Sequence, residues 1–209
     1  MKKYEFTGET KQISTINGTV TLHRIKASAA FGNIKSGDIG GWIEKEENLS
    51  HDGNAWVFGN AQVSGNAWVS GNARAFGDAQ VYGYARVFGD ARVFDDARAF
   101  GDARVCDDAW VSGNAWVSGN ARVFGDAQVY SRKHILLVGP IGSRNDYTTF
   151  FRNRNRGISV SCGCFLGEID KFIEKVIKTH GKNKHASVYR AAVELAKLQI
   201  DLSEMEEEE

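Results

Sequence analysis

The sequence predicts a mainly β protein, a parallel β-helix followed by a small α+β module that ends in a helical hairpin. One observation is a six-residue repeat of roughly Gly-(Asn/Asp)-Ala-x-(Val/Ala)-x, which runs through thirteen consecutive units from Ala55 to Ala127. The other is that this period stops at Ser131, after which strand-like and helix-like spacings follow. We expect four segments: an N-terminal cap with a degenerate first coil at 1–50, the repeat at 51–130, a basic module at 131–200 and an acidic tail at 201–209.

Each repeat has the pattern of one short strand and one corner. Ala and the Val two residues later alternate with a variable residue, which is the two-residue period of a strand. The Gly-Asn or Gly-Asp pair that follows is typical of turns. A fixed six-residue period indicates a parallel β-helix, and it excludes the pentapeptide-repeat solenoids, whose period is shorter.

The repeat resembles the hexapeptide repeats of left-handed parallel β-helices. This resemblance implies a triangular prism with three repeats per coil, in which Val fills the core and the small Ala lies near a corner. The left-handed sense departs from the usual right-handed crossover rule, and the resemblance alone implies it. Residues 18 apart should then stack, and thirteen repeats should make slightly more than four coils.

The ends of such a prism need caps, because an open stack exposes unpaired strand edges and core to solvent. Residues 1–50 are the expected N-terminal cap. Asn17-Gly18 lies between two alternating segments in "ISTINGTVTLHRI", which is the signature of a hairpin turn. Ile43 and Leu49 are six residues apart and precede Ala55 by the same period, so they predict a degenerate first coil.

The residues between Ala and Val should point outward in three columns. The columns are Trp68, Arg86, Arg104, Arg122; Trp56, Arg74, Arg92, Trp110, Gln128; and Gln62, Gln80, Arg98, Trp116. Exposed aromatics mixed with Arg are typical of partner surfaces, so we expect a homo-oligomer or a protein partner. Asp residues two positions before many of these side chains offset their charge, which argues against nucleic acid. The predicted assembly surface consists of Trp56, Trp68, Arg86, Arg104, Trp110, Trp116 and Arg122.

The resemblance also implies an enzyme alternative, since many left-handed β-helices are trimeric acyltransferases with a catalytic His and a loop thrown out of the prism. The repeats at 53–130 depart from that pattern, because they have no inserted loop and no His. His51 and His134 flank them. Acyl transfer without a base to deprotonate the acceptor has no evident mechanism, so we predict a protein that is not an enzyme.

The C-terminal module should hold two or three strands and a helical hairpin. "TTFFR" and "GISVSCGCF" are strand candidates joined by the turn "NRNRG". A first helix follows from apolar residues at helical spacing between Ile169 and Ile177, with Gly181 as its stop. A second helix should bury the face that consists of Val188, Ala192, Leu195 and Leu198.

Two loops of the module are candidate anion sites. The segment from Gly139 to Arg144 is either a cradle for a phosphate or carboxylate, or a plain turn. The three arginines of "RNRNR" suit phosphates or a carboxylate-rich partner, and the alternatives are a solvated hairpin tip or a contact for the acidic tail. The predicted ligand-binding residues are Gly142, Ser143, Arg144, Arg152, Arg154 and Arg156.

The cysteines indicate neither a metal nor a disulfide framework. Cys162 and Cys164 are two apart and are expected as buried thiols on one face of a strand. A zinc site would need further ligands, for which only His180 and His185 are near, so we expect no metal and no cofactor. The start of the chain turns polar too early for a secretory leader, and we expect a cytoplasmic protein.

Charge and whole-chain motifs lead to the predicted function. Residues 131–200 carry 13 basic and 5 acidic side chains, so this module is the better candidate for a specific anion site. The "GGW...NLS" entry and the "GSRN...TTFFR...CGCF" ending resemble a family of phage and prophage hexapeptide-repeat proteins with no established reaction. We therefore expect a non-enzymatic phage protein that binds a host protein or an anionic small molecule, with an acyltransferase or a structural phage component as alternatives.

Overall fold

The computed structural model describes residues 2–15 and 18–203, and it confirms a mainly β fold with a parallel β-solenoid. Each repeat contributes one two-residue strand. These strands are β4 (Trp56–Val57), β5 (Gln62–Val63), β6 (Trp68–Val69), β7 (Arg74–Ala75), β8 (Gln80–Val81), β9 (Arg86–Val87), β10 (Arg92–Val93), β11 (Arg98–Ala99), β12 (Arg104–Val105), β13 (Trp110–Val111), β14 (Trp116–Val117), β15 (Arg122–Val123) and β16 (Gln128–Val129).

Three parallel sheets form the walls of the solenoid. The first face carries β4, β7, β10, β13 and β16, the second carries β5, β8, β11 and β14, and the third carries β6, β9, β12 and β15. The predicted stacking of residues 18 apart is confirmed: Arg104, for example, pairs with Arg86 below and Arg122 above. The left-handed sense of the coil stays a prediction of the resemblance.

The interior of the solenoid is a continuous column of small apolar side chains. The Ala and Val positions of the repeats are at most 2% exposed, from Ala55 to Val129. Because Ala and Val alternate with outward residues, every repeat buries two side chains against the repeats above and below it. The core prediction for the repeat is therefore confirmed.

The N-terminal cap extends the second face. Strands β1 (Tyr4–Thr15) and β2 (Gly18–Ala27) form an antiparallel hairpin, β2 pairs with β3 (Ile39–Ile43), and β3 pairs in parallel with β5. The predicted hairpin is confirmed, whereas Asn17 of its turn lies outside the described residues. A short 3-10 helix, Glu46–Asn48, leads from β3 into the repeats.

The first coil is longer than the regular ones. Ile43 pairs with Val63 and Leu49 bridges to Val69, each twenty residues further on, whereas Val57 pairs with Ala75 at the regular distance of 18. The two additional residues therefore lie between Leu49 and Val57. Ile43 and Leu49 are both buried and occupy Val positions of the coil.

The cap corrects one part of the predicted assembly surface. Trp56 is only 1% exposed, because Tyr4 and Phe31 pack edge-on against its indole at centroid distances of 6.2 and 5.4 Å. The Tyr4 hydroxyl also donates to the carbonyl of Leu49 at 2.9 Å. The prediction that Trp56 contributes to a partner surface is wrong, since the cap covers it.

At two corners of the solenoid, aspartates replace glycine. Asp95 and Asp107 adopt φ of 57° and 58°, the left-handed conformation that Gly takes at most other corners. A side chain with a Cβ is strained there, but Asp tolerates it when its carboxylate finds a local partner. Here the Asp95 carboxylate accepts a hydrogen bond from the Gly113 amide at 3.2 Å, and Asp107 does the same for Gly125 at 3.3 Å.

We expect Asp95→Ala to lower the free energy of unfolding by about 1–2 kcal/mol, because the left-handed strain stays while the hydrogen bond is lost. Asp95→Gly should be nearly neutral, since relief of the strain offsets the same lost bond. Thermal melts of both variants measure the difference. Equal melting temperatures for the two variants would show that backbone strain at this corner is negligible.

The C-terminal module is a four-stranded antiparallel sheet covered by two helices. A 3-10 turn, Arg132–His134, leads into β17 (Ile135–Ile141), β18 (Asp146–Arg152), β19 (Ile158–Cys162) and β20 (Phe165–Glu168). The sheet has one strand more than the larger number expected, because a turn at Gly163 divides the expected strand GISVSCGCF into β19 and β20. The helices are α1 (Ile169–His180) and α2 (Lys184–Gln199).

Strand β18 joins the two parts of the molecule. Its alternate side chains face opposite ways, so that Phe151 belongs to the solenoid core and Phe150 to the core of the module. Thr149 Oγ1 also accepts a hydrogen bond from the backbone N–H of Arg122 at 3.0 Å. The module therefore caps the C-terminal end of the solenoid through packed side chains and sheet-edge hydrogen bonds.

The helical hairpin is confirmed, whereas the predicted buried face of α2 is only partly correct, because Ala192 is buried but the two leucines are not. Leu195 and Leu198 are 48% and 87% exposed. The buried residues of α2 are Ala186, Tyr189, Ala192, Val193 and Ala196. Helix α1 ends as predicted, with the Gly181 N–H donating to the Ile177 carbonyl.

Neither helix of the described chain has the length and apolar character needed to cross a membrane.

Candidate functional site

The candidate site is a cavity of about 260 Å³ in the C-terminal module. Two hairpin turns and the helices build it: the turn after β17 supplies Ser143 and Arg144, and the turn after β19 supplies Gly163 and Cys164. Antiparallel pairing brings these turns to the same end of the sheet, because β18 runs between β17 and β19. Helices α1 and α2 close the cavity from the side.

Aromatic rings form the apolar wall of the cavity. Phe165 and Phe172 lie with their centroids 5.3 Å apart, and Phe172 meets Tyr189 edge-on at 5.5 Å. These separations are within the range of favourable ring pairs, so the three rings support one another. Phe172 and Tyr189 are buried, and Phe165 is half-buried.

Two cationic side chains and a histidine line the cavity at its opening. Arg144 and Lys175 are exposed, and His180 is half-buried with its ring 5.8 Å from that of Tyr189. The Lys175 ammonium lies 5.6 Å from the centroid of Phe165. Asp146 is the carboxylate among the lining residues. The arrangement combines a small apolar interior with an excess of positive charge at the opening.

A hydroxyl–thiol chain runs along one wall of the cavity. The Thr148 hydroxyl donates to Cys162 Sγ at 3.2 Å, and the Cys162 thiol donates to Tyr189 Oη at 3.8 Å. Burial raises the pKa of Tyr189 to about 12. The phenol therefore stays protonated near neutral pH and can donate a hydrogen bond to an anion.

The cysteines differ from expectation in their exposure. Cys162 is half-buried and Cys164 is exposed in the turn, so the prediction of two buried thiols is wrong. Both line the cavity. Within residues 2–15 and 18–203, no group of three or more His, Cys, Asp or Glu side chains is placed to hold a metal ion.

Only the first of the two predicted anion loops, the one from Gly139 to Arg144, contributes residues to the cavity. Ser143 and Arg144 line the cavity, and Gly142 lies against the hydroxyl of Tyr189 behind it. Arg152 lies at the other end of β18, roughly 20 Å away for a strand of this length. The arginine turn is therefore not part of this cavity.

The arginine turn instead joins the module to the last coil. Asn153 bridges to Ala127, and the backbone N–H of Arg154 donates to the carbonyl of Asp126 at 2.9 Å. The side chain of Asn153 closes the turn by accepting from the amides of Asn155 and Gly157. The local role of this turn is structural.

Arg152 corrects the predicted ligand-binding set. Its side chain is 4% exposed, and its guanidinium lies 5.3 Å from the ring centroid of Tyr130. A ligand in solvent cannot reach this group, so the prediction that Arg152 binds one is wrong. Arg154 and Arg156 are exposed in the turn.

Sequence reasoning missed the helical half of the cavity. The residues of α1 and α2 that line it are Phe172, Lys175, Val176, Thr179, His180 and Tyr189. Phe172, Val176 and Thr179 recur at helical spacing, a pattern that indicates a face but not what the face contacts. The pairing of this face with two hairpin turns depends on tertiary packing.

The outward columns of the solenoid are not equivalent. On the first two faces, guanidinium groups lie near tryptophan rings: Arg92 is 4.9 Å from Trp110, and Arg98 and Arg132 are 5.5 and 3.5 Å from Trp116. Phe76 and Phe94 stack at 4.7 Å on the first face. Because these side chains pack against one another, Trp110 and Trp116 are only half-exposed.

The third face is the open one. Trp68 is 41% exposed, and Arg86 and Arg104 are exposed. Within the described part of the chain, these three side chains form no ring contact, ion pair or hydrogen bond. Arg122 is half-buried where β18 meets the solenoid. The part of the predicted assembly surface that stays exposed therefore consists of Trp68, Arg86 and Arg104.

The two histidines that flank the repeats are structural. His51 accepts from the backbone N–H of Lys3 at 3.2 Å and stacks on Tyr4 at 4.4 Å. His134 is 5% exposed and accepts from the Tyr130 amide at 3.1 Å. Burial and the neighbouring Arg152 lower the pKa of His134. Both imidazoles hold the caps of the solenoid rather than facing a cavity.

Comparisons with known proteins match the repeat. A family model described as YdcK Beta solenoid repeat matches residues 61–77, 103–119 and 115–131. The uncharacterized acetyltransferase YdcK of Escherichia coli strain K12 is 36% identical over 62 residues. That alignment covers 28% of this chain and 19% of the relative. These matches support a repeat β-solenoid, and the stretches that the family model matches end before the cavity residues begin.

Proposed function

We propose that this protein is a non-catalytic binding protein whose C-terminal cavity holds a small anionic molecule, with the solenoid as its rigid frame. The observation that carries the proposal is the cavity of about 260 Å³, in which Arg144, Lys175 and His180 stand around an aromatic wall. A concave apolar pocket with a few converging polar groups is the usual form of a small-molecule site. The guanidinium of Arg144 adds a forked donor for a carboxylate or phosphate.

We extend the proposal to the setting of the protein. The motifs before and after the repeats resemble phage and prophage proteins, and on that basis we assign it to the host cytoplasm, where it interferes with a host process by capturing a ligand or a host protein. A structural phage component is the competing role. It would copurify with particles and would leave the cavity without a ligand.

We also propose that the chains assemble through the third face. Trp68, Arg86 and Arg104 lie there in register and without partners within the described residues. On the other two faces, Arg92 and Arg98 already contact tryptophan rings of their own chain. A surface that presents free tryptophan and arginine is typical of protein interfaces.

Acyl transfer is a second candidate, and the match to a relative named as an acetyltransferase favours it. Residues 53–130 contain no His, and the flanking His51 and His134 serve the caps. We place this activity second because neither imidazole faces an open site that could hold an acceptor. Turnover of an acyl-coenzyme donor that is lost in a His134→Asn variant would reverse this order.

The proposal is tested by native mass spectrometry of the full chain purified at moderate salt from its natural or infected host. We expect an assembly of several chains that carries a small anionic ligand, which is released on denaturation. The double variant R144Q/K175Q should lose that ligand, because each substitution removes a cation at the opening. The matched control is Lys178→Gln, since Lys178 is also exposed on α1 but does not line the cavity.

Three results would contradict the assignment. Loss of the ligand in R154Q/R156Q, but not in R144Q/K175Q, would move the site to the arginine turn. Several chains without added mass would remove the ligand and leave only the assembly role. A monomer that keeps its ligand would overturn the assembly through the third face.

A further inference from the structure

The size of the cavity limits what it can hold. The volume of the cavity is about 260 Å³. It lies below the range of about 300–1,000 Å³ that is usual for drug-sized ligands. A compact molecule with one ring fits this space, whereas a nucleotide or an acyl-coenzyme would extend far out of it. This inference rests on the proposed function, because it concerns the same site.

The wall of the cavity favours a flat ring. Phe165, Phe172 and Tyr189 meet at interplanar angles of 49° and 88°, so their rings do not form one parallel stack. Phe172 and Tyr189 are buried, whereas Phe165 is half-buried and leaves part of its ring for a planar ligand ring to pack against. A saturated ring of equal size would gain the same burial but lose these ring–ring contacts.

The opening favours a single negative charge. Arg144 and Lys175 contribute two cations, and Asp146 contributes one carboxylate, so these three side chains carry a net charge of +1. Asp146 already accepts from the backbone N–H of Tyr147 at 2.7 Å. A polyphosphate would place several charges beside this carboxylate, whereas a monoanion is balanced by the excess cation.

A hydroxyl donor completes the recognition. Tyr189 Oη accepts from the thiol of Cys162, so its own proton is available to a ligand oxygen. We propose that the cavity binds an aromatic monocarboxylate with a single ring or a small fused ring, packed on Phe165 with its carboxylate at Arg144, Lys175 and the Tyr189 hydroxyl. The ligand class is thus set by the ring wall and by the charge at the opening.

Isothermal titration calorimetry of the full chain tests this with benzoate and three comparison probes. Benzamide has the same shape without the charge, cyclohexanecarboxylate has the charge without the flat ring, and pyrophosphate has several charges without a ring. We expect benzoate to bind about tenfold more tightly than each of the three. Arg144→Gln should remove the preference over benzamide, and Phe165→Leu should remove the preference over cyclohexanecarboxylate. Lys178→Gln should keep both preferences.

The outcomes separate this inference from the proposed function. Equal binding of benzoate and cyclohexanecarboxylate would overturn the aromatic assignment and leave an anion site intact. Tighter binding of pyrophosphate would overturn the monoanion assignment in the same way. No binding of any of the anions, by a chain that melts cooperatively, would overturn both the inference and the anion-binding function.

Discussion

Val105→Asp should abolish cooperative folding of the solenoid near neutral pH. Val105 is fully buried and stacks in register between Val87 and Val123. The substitution loses about 1.5–3 kcal/mol of apolar burial and places a carboxylate among apolar side chains, where an unpaired charge costs several kcal/mol more. The sum is comparable with the whole stability of a domain, which is about 5–15 kcal/mol.

The neighbouring residue supplies the control. Arg104→Asp places the same carboxylate one position away on the same strand, but on the exposed third face. Surface substitutions of this kind change stability by about 0.5 kcal/mol or less, so at chain concentrations too low for assembly through the third face this variant should melt like the parent chain. Circular dichroism and thermal melts compare the two. Similar melts for both variants would contradict the inward direction of the Val column.

The repeat was predictable because its rules are local. A strand alternates two faces, and a corner needs Gly or Asx, so each six-residue unit carries its own folding information. Because the six-residue unit repeats without interruption, each strand pairs with the strand 18 residues further along the chain, as Arg86, Arg104 and Arg122 show. The two additional residues between Leu49 and Val57 could not be placed in this way, because that coil interrupts the period.

The buried face of helix α2 could not be predicted from the hydrophobic pattern of its sequence. Its sequence offers two faces that share Ala192: one adds the bulky Val188, Leu195 and Leu198, and the other adds Tyr189, Val193 and two further alanines. Hydrophobicity favours the first face, yet the structure buries the second. Small alanines allow the helix backbone to approach the sheet and α1 closely, so shape rather than hydrophobicity decides which face is buried.

The candidate site was predictable only in part for a related reason. The turn from Gly142 to Arg144 carries a local signal, and the structure places it at the cavity. The arginine turn carries an equally strong signal, but β18 separates the two turns by its whole length. Lys175 and Tyr189 come from helices whose docking depends on long-range packing. Local residue chemistry therefore indicated candidate loops, while topology decided which of them could act together.

Gly142→Ala should damage both the stability of the module and the cavity. Gly142 has φ of 75°, and a Cβ added there would lie 1.8 Å from Tyr189 Oη and 2.4 Å from Cζ. The left-handed strain costs about 1–2 kcal/mol, and overpacking against the buried ring adds about 1–3 kcal/mol. The displaced Tyr189 would also lose its contacts to Phe172 and Cys162, so binding of any cavity ligand should weaken.

Gly181→Ala is the control that measures backbone strain without a steric contact of the new methyl group. Gly181 ends α1 with φ of 57°, and no atom lies within 4 Å of an added Cβ, so this variant bears only the cost of the backbone conformation. We expect Gly142→Ala to be the more destabilised of the two in urea unfolding. Tyr189→Ala should recover part of the difference, since it removes the ring that the new methyl group meets, and a double-mutant cycle measures that coupling. Equal destabilisation of the two glycine variants would show that Tyr189 can move aside without cost and that the aromatic wall of the cavity is not rigid.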